Sequence, residues 1–230
     1  MKSLVAQVVA DRVQDGDFIG IGSGSTVEAA VLAIGKRVMT EKLSVRAITT
    51  SHRSAICALS AGIEVVSPFT AEIPRWCFDG ADEVDTQLRL IKGGGGAMLS
   101  EKIVASRCSG TFLVLVTEDK LVKNLGEKFA VPLEIIPESL RLVERELYKL
   151  GAREILAREA KGKYGPLTSD HGNLILDVRF IGDCAGLEDT LNTIPGVVEN
   201  GLFTKLSPEV YLAEKGEIFQ LHAGHSRQKL

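Results

Sequence analysis

The sequence predicts an α/β protein in two parts, a Rossmann-like domain on a mostly parallel sheet and a second, smaller α+β domain of ferredoxin-like type. Three observations lead there. At 230 residues the chain exceeds the usual single-domain size. Its first half alternates short β-branched runs with helical patterns, the pattern of a parallel sheet with covering helices. After Gly126 the alternation gives way to a strongly amphipathic helix and a strand in which apolar and polar residues alternate.

Each element has its own signal. FIGIG, Phe18 to Gly22, reads as a buried strand and Ser25 to Val38 as the helix after it, with Ser25 and Glu28 spaced as a capping box. LSVRAITT, Leu43 to Thr50, is the second strand, Ser51 to Ala61 its helix, and IEVV, Ile63 to Val66, the third strand. RWCF, Arg75 to Phe78, and TFLVLV, Thr111 to Val116, supply two more, separated by a glycine-rich segment and a helix from about Ala97 to Arg107. Further on, VPLEIIP is bracketed by prolines, ESLRLVERELYKLG is the amphipathic helix, and NLILDVRF, Asn173 to Phe180, the half-exposed strand. LEDTLNTIPG reads as a helix ending at Pro195 and Gly196, and VVENGLF as a strand, completing a βαββαβ-like order. EVYLA and EIFQL are expected to return to the first sheet. The Rossmann-like domain is therefore drawn as residues 1–128 and 204–230, and the ferredoxin-like domain as residues 129–203.

Composition narrows the function. With 45% hydrophobic and 25% charged residues the chain has a globular composition and enough apolar surface for a sizeable core. A net charge of −3 without basic clusters argues against a nucleic-acid partner, so an anionic substrate would have to be met by local charges. No apolar run reaches the roughly 18 residues of a membrane span, and MKSLVAQVVADRV turns acidic before any signal-like cleavage site. A soluble, cytoplasmic protein with no membrane partner is expected. Cys57, Cys77, Cys108 and Cys184 are too scattered for zinc spacing and read as buried free thiols. His222 and His225 in LHAGH lack a nearby third ligand and read as a solvated tail.

Three segments carry chemistry. GIGSGST, Gly20 to Thr26, falls at a strand-to-helix turn, where helix N–H groups and the hydroxyls of Ser23, Ser25 and Thr26 can hold a phosphate. It has neither the Lys of a Walker A loop nor the third Gly of G-x-G-x-x-G, and a tight turn capped by Ser25 is its plain alternative. DGADEVD, Asp79 to Asp85, places four carboxylates at the carboxyl end of a parallel strand, where open α/β sheets bind ligands. Such crowding is expected to raise at least one of their pKa values; an acidic surface turn or a divalent-metal site are the alternatives. KGGGGAMLSEK, Lys92 to Lys102, sets four consecutive glycines between two ordered elements, which implies very close backbone approach to something rather than a plain linker. Lys92 precedes the run and Glu101 lies on the helix after it. A phosphate turn, carboxylates, and a Lys beside an isolated Glu are the groups needed to convert an aldose to a ketose: a base to move a proton between C2 and C1, and a cation for the enediolate oxygen.

Together with TTSHRSA, VTEDK, LEIIP, NLILDV and IPGVVENGLF, these segments resemble the signature segments of the type A ribose-5-phosphate isomerases over nearly the whole chain. The resemblance implies a step of the non-oxidative pentose phosphate pathway, no metal or organic cofactor, a sugar-phosphate substrate, and a homodimer or homotetramer. It places the general base on Glu101, sugar-hydroxyl contact and ring opening on Asp79 and Asp82, and enediolate stabilisation on Lys92. Ser23, Gly24, Ser25 and Thr26 match the substrate-binding turn, with Ser23 where the family often has Thr. Gly80, Ala81, Gly93, Gly94 and Gly95 match substrate-lining backbone. Lys120 matches a substrate-contacting Lys, with one extra residue between it and Glu101, and Lys2 a basic residue near the N-terminus. A coenzyme A transferase with a catalytic Glu, a non-catalytic sugar-phosphate sensor and a dinucleotide-binding oxidoreductase are the competing readings. The sensor should carry a helix-turn-helix segment, and the oxidoreductase the third glycine.

Overall fold

Helix α1 (Lys2–Arg12), which no start signal announces, comes first; the computed structural model describes residues 2–162 and 164–230. Val5, Ala6, Val9 and Ala10 lie on one stripe of it and are buried. β1 (Phe18–Ile21) follows, buried along its length as a central parallel strand should be. α2 (Ser25–Glu41), β2 (Arg46–Thr49), α3 (His52–Ser60), β3 (Glu64–Val65) and β4 (Trp76–Gly80) continue the alternation. Two short strands, β5 (Glu83–Val84) and β6 (Leu90–Ile91), precede α4 (Met98–Arg107) and β7 (Phe112–Thr117). Then come β8 (Val131–Ile135), α5 (Leu140–Lys149), β9 (Ala152–Ala157), β10 (Leu174–Phe180), α6 (Glu188–Asn192) and β11 (Val197–Asn200). The remaining strands are β12 (Leu202–Phe203), β13 (Glu209–Glu214), β14 (Glu217–His222) and β15 (Ser226–Lys229).

These elements form two compact units. The first holds Met1–Ala81, Ser100–Lys120 and Leu206–Leu230; the second holds Asp82–Leu99 and Leu121–Lys205. In the first, one sheet runs β15-β14-β13-β7-β4-β1-β2-β3, parallel from β13 to β3 and antiparallel at β14 and β15. EVYLA and EIFQL thus return to the first sheet. Ile19, Ile21, Ile34, Phe78, Leu113 and Leu115 are among its buried core. A Cβ on Gly20 would lie 2.5 Å from Cys77 Cβ and 2.6 Å from Val104 Cγ1, so the missing side chain is what lets α4 lie against β1.

The second unit carries the sheet β11-β8-β10-β9, antiparallel throughout, in the chain order β8-α5-β9-β10-α6-β11. That is the ferredoxin-like βαββαβ arrangement. Val143 and Leu147, one turn apart on α5, pack with Leu133, Ile135, Leu176 and Val178. β12, β6 and β5 make a separate three-stranded sheet in the same unit.

Several expectations are corrected. VVENGLF is not one strand, because Gly201 lies between β11 and β12: its N–H donates to Pro132 O at 2.7 Å and its carbonyl accepts from Lys92 N at 2.9 Å. Only a glycine fits there, since a Cβ would sit 2.3 Å from Lys92 O. The four cysteines are free, but only Cys77 and Cys184 are buried, while Cys57 and Cys108 reach the surface in part. LHAGH is solvated from His222 to Gly224 as expected, but it is no tail: it forms the end of β14 and the turn into β15, with Gly224 at φ +76°. No helix among the described residues is long and apolar enough to cross a membrane.

Candidate active site

In the first unit the candidate residues follow the carboxyl ends of adjacent parallel strands. β1 leads into Ser23–Thr26, β4 ends on Asp79 and Gly80, and β7 leads into a short 3₁₀ turn carrying Lys120. This is the edge of a doubly wound sheet at which ligands bind. The Ser23 N–H donates to Asp79 Oδ1 at 3.0 Å and the Gly80 N–H to the same oxygen at 2.7 Å, so the first turn and the DGAD segment are joined. Gly22 makes room for that carboxylate, because a Cβ on it would lie 2.0 Å from Asp79 Cγ. Lys120 is half-buried and lies 3.7 Å from Asp119 Oδ2. Ala81 is half-buried.

The capping box is corrected. The N-cap of α2 is Gly24, at φ +110° and with no side-chain cap, and Ser25 is already the first helical residue. Glu28 turns away to accept from Arg53 Nε at 2.7 Å. Ser25 is exposed and accepts from Lys2 Nζ at 2.7 Å. The helix therefore presents its first N–H groups without a side-chain acceptor, beside an ammonium and the hydroxyls of Ser25 and Thr26, which is how a helix start offers a seat to an anion. Ser23 plays a different part. Its hydroxyl lies 2.8 Å from Thr50 Oγ1, 3.0 Å from Ser51 Oγ and 3.3 Å from Ser54 Oγ, while Ser54 donates to Gly22 O at 2.6 Å. Thr50, Ser51 and Ser54, all within TTSHRSA, are not among the residues that the sequence points to. Hydroxyl after hydroxyl at the end of β2 was the available signal.

Glu101 lies in the first turn of α4, where a carboxylate is favoured by the helix dipole, and it is 4% exposed. In the second unit, Lys92 follows β6 and is 2% exposed. Its backbone is held by Gly201, and its Nζ lies 5.6 Å from the centre of the Phe203 ring. Gly94 donates to Asp82 Oδ2 at 2.7 Å. Gly93 is buried at φ +95°, whereas Gly94 and Gly95 are exposed.

Two of the four carboxylates of DGADEVD have structural partners. Glu83, fully buried, accepts from the N–H groups of Gly126, Lys128 and Phe129 at 2.7, 2.6 and 2.6 Å and pins that loop. Asp85 accepts from the N–H groups of Gln87 and Arg89 and from Arg89 Nε. Glu83 and Asp85 thus spend their oxygens on backbone and arginine donors and serve the fold. Among the described residues no group of three or more His, Cys, Asp or Glu is placed to hold a metal ion.

The model of one protein family, Ribose 5-phosphate isomerase A (phosphoriboisomerase A), matches residues 46–217. The chain belongs to the ribose 5-phosphate isomerase A family. It is 42% identical over 212 residues to the ribose-5-phosphate isomerase A of Methanothermobacter thermautotrophicus, covering 91% of this chain and 92% of that protein. To the one from Thermococcus kodakarensis it is 44% identical over 210 residues, covering 90% and 91%. The solved ribose 5-phosphate isomerase A from Methanocaldococcus jannaschii is 43% identical, with a TM-score of 0.90 over 96% of this chain and 97% of that one. A D-ribose-5-phosphate isomerase solved in complex with phospho-erythronic acid is 36% identical, with a TM-score of 0.91 over the same shares. The segments DGADEVD, KGGGGAMLSEK and IPGVVENGLF all fall within the residues matched to the ribose 5-phosphate isomerase A family, and GIGSGST precedes them.

Proposed function

We propose that the chain interconverts D-ribose 5-phosphate and D-ribulose 5-phosphate through an enediolate, with Glu101 as the base. The observation that carries this reading is the burial of one carboxylate and one ammonium, Glu101 and Lys92, on either side of the glycine run. Burial withholds water from groups that must exchange a proton or face a developing oxyanion. Glu101 takes the C2 proton of the open-chain aldose, and the electron pair forms the C1–C2 double bond. Charge then gathers on the C1 oxygen, which Lys92 stabilises. Glu101 returns the proton to C1 while the C2 hydroxyl loses its own to the C1 oxygen, leaving the ketose.

Asp79 and Asp82 hold sugar hydroxyls and assist ring opening. Gly80, Ala81, Gly93, Gly94 and Gly95 line the sugar with backbone. The exposed start of α2, with Gly24, Ser25, Thr26 and Lys2, takes the phosphate, joined by Lys120; the hydroxyl of Ser23 orders the turn from within. Phospho-erythronic acid, the ligand of a solved relative, pairs a phosphate with a carboxylate, whose two oxygens imitate an enediolate. No step in this scheme calls for a metal or an organic cofactor. The same reading makes the protein a cytoplasmic homodimer or homotetramer.

A coupled assay tests the proposal. Ribose 5-phosphate should be converted at a rate unaffected by exhaustive chelation, and unphosphorylated ribose should be a very poor substrate because the anchor that aligns C1 and C2 is gone. Comparable turnover of the two sugars, or a loss on chelation restored by Mg²⁺ or Mn²⁺, would contradict it.

A further inference from the structure

A run of four glycines has more backbone freedom than any other sequence of that length, so its order must come from specific bonds. Within the second unit the Gly96 N–H closes a turn on Gly93 O at 2.9 Å, and one side chain ties that turn to its surroundings. Arg158, just beyond β9, donates from a single Nη1 to Gly93 O and Gly94 O, both at 3.0 Å. Its Nε and Nη2 are occupied by the two oxygens of Asp177 on β10, a bidentate pair whose side chains are 13% and 26% exposed. Its backbone is held on both sides, the N–H donating to Ile175 O at 2.8 Å and the carbonyl accepting from Leu167 N at 2.6 Å. The guanidinium therefore approaches the glycines from a backbone tied on one side to β10 and on the other to Leu167.

Gly93 C=O and Gly94 N–H belong to the same peptide group. In a planar trans peptide they point in opposite directions, so fixing one aims the other. The carbonyl accepts from Arg158 Nη1 at 3.0 Å and from the Gly96 N–H at 2.9 Å, and the N–H donates to Asp82 Oδ2 at 2.7 Å. Rotation of this one peptide would break all three bonds. The guanidinium also polarises the peptide, which strengthens the Gly94 N–H as a donor. We propose that Arg158, locked by Asp177, is a positioning residue that sets the Gly93–Gly94 peptide and through it the Asp82 carboxylate. The role rests on the reading of Asp82 as a substrate-contacting residue, and Arg158 itself touches no reacting atom.

The test pairs kinetics with an amide signal. Arg158→Met keeps the apolar stem and removes the guanidinium; kcat/KM for ribose 5-phosphate should fall roughly 10- to 100-fold, mainly in kcat, as expected for a small misplacement near the chemistry. Arg158, Asp177, Lys128, Phe129 and Arg179 line an open groove of about 500 Å³, so guanidinium ion at sub-denaturing concentration can reach the vacated place and should restore activity to the variant. Arg158→Lys should fall in between, because a point charge cannot hold Asp177 in two places and reach both carbonyls. Arg179→Gln, a change in the same groove, should stay within about twofold of the parent.

In a glycine-labelled NMR spectrum the Gly94 amide proton should move upfield in Arg158→Met, as it should in Asp82→Asn. Kinetics within twofold of the parent, or a loss that guanidinium leaves untouched and Arg179→Gln shares, would overturn the proposal. If the parent protein fails to isomerise ribose 5-phosphate, the isomerase reading falls and the Gly94 signal alone decides: an unmoved amide overturns the positioning role. Should Arg158→Met not fold, Arg158→Lys carries the same readouts.

Discussion

A methyl group on Gly22 would stand 2.0 Å from the carboxyl carbon of Asp79, and no rotation of so short a side chain avoids it. Gly22→Ala is therefore expected to displace Asp79 from the Ser23 and Gly80 N–H groups. Overpacking of this kind costs about 1–3 kcal/mol, and moving a carboxylate proposed to contact the substrate should cost on the order of 100-fold in kcat/KM. Thermal melting and steady-state kinetics of the variant check both; parent-like kinetics would mean that Asp79 is not needed where it sits. A second residue-scale outcome concerns Cys108. A hydrogen bond from the Cys77 thiol holds it down to about 7, while burial pushes Cys184 up to about 12. Alkylation of Cys108 by iodoacetamide should rise through pH 7 and then level off, since the thiolate is the nucleophile. Cys184 should stay unlabelled in the folded protein. Mass spectrometry across a pH series reads both, and a Cys108 profile that climbs only above pH 8.5 would contradict the Cys77 contact.

At the scale of elements, the start of α2 separates two roles that the sequence left open. Gly24 is the N-cap and Ser25 caps nothing, so Ser25→Ala should leave the melting temperature unchanged, where loss of a true cap costs roughly 1 kcal/mol. Ser25→Ala and Thr26→Ala should instead raise KM for ribose 5-phosphate with little change in kcat, as expected when a grip is equal in ground state and transition state. Unaltered KM in both would remove the phosphate from this turn. The capping box was misread because a Ser–Glu spacing is a local pattern, and here a glycine at positive φ took the cap while Glu28 found Arg53. Strongly periodic elements were legible. FIGIG, NLILDVRF and the amphipathic α5 carry their burial in their hydropathy. β5, β6 and β12 have two residues each, too few for any periodicity to show.

At the scale of the whole molecule, the net charge of −3 gives no general attraction for a sugar phosphate, so the proposed function relies on local charges, Lys2, Lys92, Lys120 and the start of α2. The sequence points to these residues because they stand in short segments with their own chemistry. The hydroxyls of Thr50, Ser51 and Ser54, the clamp of Arg158 and the structural use of Glu83 were not legible in it, since each depends on partners many residues away. The proposed reaction turns on Glu101 as the group that transfers the proton. Steady-state kinetics of Glu101→Gln with ribose 5-phosphate, on protein shown by circular dichroism to be folded, tests it most directly. Loss of the carboxylate should lower kcat by roughly 10² to 10⁴ with KM little changed; a fall of less than about tenfold would mean that Glu101 is not the base.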